Sequence, residues 1–215
     1  MSTSEFPTPY PVQFAGNRLA RWLVRRLGWT VKFDGLPTLQ GVLIVYPHTS
    51  NWDFVILVLV KWAIGIHARF WGKDKLFRIP LFGAWLRRLG GVPVERTSPH
   101  GAVGQMVQQL DQARAQGRYF WLALAPEGTR KLIPGWRSGF YRATLQAGVP
   151  LGLVRFDYRL REVAATDFIT LSGDESADFE RIARVYEGVV GCRPGNASPI
   201  RLIEPEVPRA ETIVK

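Results

Sequence analysis

The chain has 215 residues, 47% of them hydrophobic, enough to bury a core as one domain. Its single cysteine, Cys192, excludes an internal disulfide and gives no support to a cysteine metal site; His67 and His100 stand in no ligand spacing, so no metal is assigned. The formal charge of +10 calls for an acidic partner, membrane lipid or nucleic acid, and no stretch reaches the ~18 uninterrupted apolar residues of a spanning helix.

Residues 1–13 are rich in proline and serine and are expected to be loosely held. They lack a signal-peptide pattern, because the first positive charge, Arg18, follows Pro7, Pro9 and Pro11. From Asn17 to Trp29 a helical stripe of Leu19, Trp22, Leu23 and Leu27 is surrounded by arginines. Trp and Leu against a basic face suit a helix lying in a membrane interface; an amphipathic helix docked on the core has the same pattern. This distribution favours lipid over nucleic acid as the acidic partner.

The run Val42 to Val45 predicts a strand, and Pro47-His48-Thr49-Ser50-Asn51-Trp52-Asp53 follows it. A neutral imidazole accepts a proton near neutral pH, and a carboxylate on its other nitrogen fixes its tautomer and orientation. Such a pair is the minimum machinery for activating a hydroxyl. At about 100° per residue an interval of five turns two side chains roughly 140° apart on a helix, so His48 and Asp53 cannot face each other mid-helix. A workable arrangement leaves His48 on the turn and Asp53 in the first turn of the next helix. The competing reading is a capping box, Ser50-x-x-Asp53, with both side chains on orphan N–H groups. Phe54 to Val60 is apolar enough for a buried helix or a strand, and the Ser50 cap favours a helix.

Leu81 to Leu89 mixes apolar bulk with Arg87 and Arg88 and offers a second surface for a bilayer. Gly90 to Arg96 is a short apolar element in which Pro93 argues for an edge strand or none. Tyr119 to Ala125 predicts a buried strand, followed directly by Pro126-Glu127-Gly128-Thr129-Arg130. At such a junction Gly128 lets N–H groups converge, Thr129 adds a hydroxyl and Arg130 offers a fork that matches phosphate. A tight turn with a Glu127/Arg130 surface pair is the alternative, and it would contribute little. Ala147-Gly148 followed by Val149 to Val154 predicts a helix C-terminus and a strand, in which Gly152 has no evident reason. Beyond it, Val154 to Tyr158 and Asp167 to Leu171 predict strands. Phe179, Ile182, Ala183, Tyr186 and Val189 mark a helix starting after Ser172-Gly173-Asp174. The alternation of strand-like and helix-like runs favours an α/β fold.

In order and spacing these blocks resemble the lysophospholipid acyltransferase family: His48 and Asp53 match its H-x4-D block, Gly90 to Arg96 its G-x-x-F-x-x-R block with Pro93 for Phe, Pro126 to Arg130 its P-E-G-T-R block, and Val149-Pro150 its V-P block. The segment from Gly72 to Arg88 fits as well. The resemblance implies a single α/β domain with a mixed, mostly parallel central sheet flanked by helices, over residues 31–200. Residues 1–16 would form a flexible segment, 17–30 the membrane-surface helix and 201–215 a tail. It also implies an O-acyltransferase moving an acyl group from an acyl-CoA or acyl carrier protein thioester to a hydroxyl of lysophosphatidate or a related lysophospholipid. No cofactor beyond the thioester co-substrate is implied.

On the same resemblance His48 is the general base and Asp53 its orienting carboxylate. Arg96, Gly128 and Arg130 hold the acceptor phosphate with Thr129, and Glu127 orients an arginine or an acceptor hydroxyl. Lys131 departs from the family pattern, and both an anionic head group and plain solvation suit it. The sequence does not identify the oxyanion donors; a backbone N–H near His48 or in the Gly128 loop would be suitably polar. Cys192, outside the blocks, is expected to be a buried or incidental thiol rather than a nucleophile. The implied place is the cytoplasmic face of a membrane, held peripherally. A thioesterase using the same His/Asp pair on water, and a basic nucleic-acid-binding module, are the competing readings.

Overall fold

The computed structural model describes residues 5–94 and 101–203. The chain begins with helix α1 (Arg18–Arg26), strands β1 (Thr30–Phe33) and β2 (Gln40–Tyr46), helix α2 (Trp52–Ile64) and strand β3 (Arg69–Lys73). Two short helices, α3 (Asp74–Phe77) and α4 (Phe82–Arg88), lead to β4 (Gly91–Val94). Then follow α5 (Gly101–Ala115), β5 (Phe120–Leu124), α6 (Gly139–Ala147), β6 (Leu151–Asp157), β7 (Glu162–Ile169) and α7 (Glu175–Val185).

The strands form one sheet in the order β1-β7-β6-β2-β5-β3-β4. Among these described strands, β6 and β7 alone pair antiparallel. The expected α/β fold with a mixed, mostly parallel sheet is the one observed. Parallel strands covered on both faces read as continuous apolar runs, because neither face can be polar. In β2, Val42, Ile44 and Tyr46 point into a core with α5, α6 and α7, while Leu43 and Val45 point into a second core with α1 and α2.

Pro93 sits in β4 at the sheet edge, where a missing N–H costs no ladder bond. The apolar run after Ser50 is helical and ends at Gly65 in the left-handed conformation. Gly152 now has a reason: a Cβ there would lie 2.5 Å from Leu43 Cδ2 and 2.8 Å from Phe168 Cε1.

Two expectations need correction. The N-terminal segment is not loose where it is described: Glu5 N–H bonds to Phe168 O, Tyr10 is 2% exposed with its hydroxyl on Thr166 O, and Val12 bridges to Leu36. Aromatic burial against β7 overrides the proline-rich composition. The second late strand starts at Glu162 rather than Asp167 and forms a hairpin with β6. Helix α1 is docked on the core through Ala20 and Val24, while Leu19, Trp22 and Leu27 stay more than half exposed.

Candidate active site

Strands β6, β2 and β5 are parallel neighbours, and the loops leaving their carboxyl ends meet at one edge of the sheet. Ligands of open α/β sheets bind at this edge. The loop after β2 carries His48 and delivers Asp53 in the first turn of α2. Asp53 is wholly buried, and its Oδ2 lies 3.0 Å from His48 Nδ1. The Nδ1–H is not well directed at that oxygen and has no better acceptor, a looseness common before substrate binds. With Nδ1 on the carboxylate, Nε2 is the nitrogen left for a substrate hydroxyl.

The capping interpretation and the catalytic one describe the same carboxylate. Asp53 Oδ2 also accepts from Thr49 N at 2.7 Å and Ser50 N at 2.8 Å, and Ser50 Oγ accepts from Trp52 N at 3.2 Å. Its Oδ1 accepts from the Tyr158 hydroxyl at 2.7 Å. Burial pushes Asp53 upward, but His48, Tyr158 and the Ser50 amide outweigh it and hold the carboxyl below its ordinary value. Asp53 is therefore an anion at neutral pH. The Tyr158 contact comes from outside every motif, and no periodicity or spacing signals it.

Glu127 makes no surface pair with Arg130. It is fully buried, and its oxygens accept from His48 N at 2.7 Å and Ser198 N at 3.0 Å. Burial raises its carboxyl above the ordinary range, against the pull of those two amides and of His48. Among the described residues neither oxygen engages an arginine; the carboxylate clamps the His48 turn to the C-terminal segment. His48, Thr49 and Ser50 thus all donate their amides to carboxylates, which removes them as oxyanion donors.

In the next loop Gly128, at φ +64°, donates its N–H to Ala125 O, closing a tight turn. The amides of Thr129 and Arg130 make no hydrogen bond among the described residues, so these two remain for an anion. Thr129 Oγ accepts from Lys131 N at 3.3 Å, and Arg130 and Lys131 are exposed. Arg137 returns over the loop: a Cβ on Gly128 would meet its Cδ and Nε at 3.0 Å. Among the described residues Arg130, Lys131 and Arg137 have no carboxylate within ion-pair distance. Trp136, fully buried among Tyr46, Phe140, Phe179 and Tyr186, anchors this cationic loop. Arg96 lies outside the described residues, as does His100; β4, which leads to Arg96, ends on the same sheet edge.

A strap from Val190 to Ile203 backs the whole site. Arg193 N bonds to Thr49 Oγ1 at 3.1 Å, Asn196 Nδ2 to Arg130 O at 3.1 Å, and Ile133 N to Ser198 Oγ at 3.2 Å. The Trp136 backbone pairs with Arg201 and Ile203. Gly191 is required at the crossing, since a Cβ there would stand 2.8 Å from Thr49 Oγ1.

A buried carboxylate orienting a histidine, with a cationic loop that has no carboxylate partner among the described residues, at the carboxyl edge of a mostly parallel sheet, defines a class that can deprotonate a hydroxyl next to an anion. The acyltransferase family model matches residues 17–153, more than half of the chain, and the chain belongs to that family. It is 29% identical over 140 residues to a 1-acyl-sn-glycerol-3-phosphate acyltransferase of Pseudomonas aeruginosa, a match covering 63% of this chain and 51% of that protein. The chain thus spans about half the length of this curated relative. A solved 1-acyl-sn-glycerophosphate acyltransferase, PlsC from Thermotoga maritima, aligns with a TM-score of 0.49 at 18% identity, over 79% of this chain and 76% of that one.

Proposed function

We propose that the protein moves an acyl group from a thioester, acyl-CoA or acyl carrier protein, to a free hydroxyl of lysophosphatidate or a closely related glycerophospholipid. The observation that carries this is the contact of His48 Nδ1 with a buried, anionic Asp53, which leaves Nε2 as the base. His48 takes the proton of the acceptor hydroxyl as its oxygen attacks the thioester carbonyl. The C–S bond then breaks, and the imidazolium returns the proton to the departing thiolate. Because the donor is already activated, no covalent enzyme intermediate is needed. The name of the Pseudomonas aeruginosa relative supports the acceptor class. Arg130, Lys131 and Arg137, with the amides of Thr129 and Arg130, supply donors suited to a phosphate monoester; Arg96 belongs to the same proposed set.

Incubation with labelled acyl-CoA and acyl carrier protein thioesters, against glycerol-3-phosphate, lysophosphatidate and neutral lysolipids, tests the assignment. Ester formation on the phosphate-bearing acceptors is expected. Free fatty acid alone would make the protein a thioesterase, and no product from any pair would refute acyl transfer.

The acceptor lies in a bilayer, and the surface suits one. Leu19 and Trp22 on α1, Trp52, Val55 and Trp62 on α2, and Phe82 and Trp85 on α4 are exposed. The three helices adjoin: α1 packs on α2, and Phe54 of α2 lies 6.2 Å from the Trp85 ring. Arg18, Arg21 and Arg25 surround Trp22, and Arg87 and Arg88 end α4. On this exposed aromatic and basic face the protein would rest on a lipid surface; no helix among the described residues is long and apolar enough to cross a membrane. It should sediment with phosphatidylglycerol vesicles more than with phosphatidylcholine ones, less so at high salt, and Trp22→Ser with Trp85→Ser should weaken binding. Equal sedimentation with both lipids would count against the basic face.

A further inference from the structure

The geometry points to Tyr158 as a positioning residue for the proposed base: its hydroxyl, on Asp53 Oδ1, keeps Oδ2 committed to His48. This rests on the function proposed above. The matched family region ends at 153, so Tyr158 and the strap that holds it lie beyond it.

Asp53 has two oxygens and four donors. Oδ2 faces Thr49 N, Ser50 N and His48 Nδ1, while Oδ1 faces the Tyr158 hydroxyl. A buried carboxylate turns about its last torsion toward whatever donors it lacks, since an unsatisfied oxygen in an apolar setting is costly. The phenol removes that incentive. The ring is itself fixed: it lies edge-on to Trp29 at 4.9 Å and against Phe156 at 5.0 Å, and the Tyr158 N–H bonds to Val190 O at 2.8 Å. Burial first, then the hydrogen bond to Asp53 and that carboxylate's charge, push the hydroxyl far above the ordinary phenol range, so it is a donor at neutral pH. Cys192 adjoins the same hydroxyl, which places this thiol beside the pair despite its distance along the chain.

Tyr158 acts through Asp53, not on substrate, and Tyr158→Phe in the full chain isolates that role because the ring packing is retained. We expect kcat to fall about tenfold with both KM values unchanged, the loss typical of one hydrogen bond to a charged group. In an Asp53→Asn background the same substitution should change kcat less than about twofold, because two groups acting as a unit are not additive. Imidazole ¹⁵N spectra, with the His48 signal identified by His48→Gln, should show a single Nδ1–H tautomer in the wild type and a mixture in Tyr158→Phe.

Full additivity, a rise in KM with kcat intact, or an unchanged tautomer would each overturn the proposal. If the wild type transfers no acyl group, the acyltransferase reading fails by itself, and the tautomer measurement still decides what Tyr158 does.

Discussion

His48→Ala is expected to lower acyl transfer by about 10²- to 10⁴-fold, the usual contribution of a positioned general base. Stability should hardly change. The side chain is 17% exposed on a turn, and Asp53 keeps its Thr49, Ser50 and Tyr158 donors without it. Folding of the variant is checked by its melting temperature and its activity by ester formation from labelled thioester. A variant within about tenfold of the wild type would show that another group removes the proton. Asp53→Asn separates the roles further: it should lose activity as well, but also stability, since a neutral amide oxygen replaces the anion that accepts from the Thr49 and Ser50 N–H groups and an NH₂ replaces the oxygen that accepts from the Tyr158 hydroxyl.

Glu127 carries the second large effect, and it is an effect on shape. An amide matches the carboxylate in size, yet Glu127→Gln must turn its NH₂ toward either His48 N–H or Ser198 N–H, donor against donor. One buried amide loses its acceptor, a loss of about 1–3 kcal/mol. Glu127→Ala leaves both amides unpaired around a void and should cost more. The urea midpoint should fall without a change in slope. Activity should drop by at least about tenfold in either variant, because the turn that carries His48 is no longer held. Wild-type stability and activity in Glu127→Gln would refute the clamp.

Local pattern made much of this molecule readable. β2 and β5 announce themselves as apolar runs because both their faces are covered, and α7 begins where Asp174 caps it by accepting from Ala177 N. Gly148 ends α6 in the left-handed conformation. The proximity of His48 and Asp53 was legible for the same reason: five residues and a helix start confine the geometry. What escaped depends on distance along the chain. Glu127 reaches His48 across 79 positions and Ser198 across 71, and Tyr158 reaches Asp53 across 105. A buried glutamate in a short polar loop looks, in sequence, like a surface one. The packing of Tyr10 was hidden likewise, since proline-rich composition describes the backbone and says nothing of a ring that fits against Phe168.

The turn that opens α2 has two sides. Inward it presents Asp53; outward, on the same turn, stand Trp52, about two-thirds exposed, and Val55. A helix start frays more easily than its middle, and here fraying would unseat the carboxylate that orients the base. Any bilayer that takes up Trp52 and Val55 would brace that turn from outside. On the proposed function, adsorption and readiness to react would then be two measures of one equilibrium.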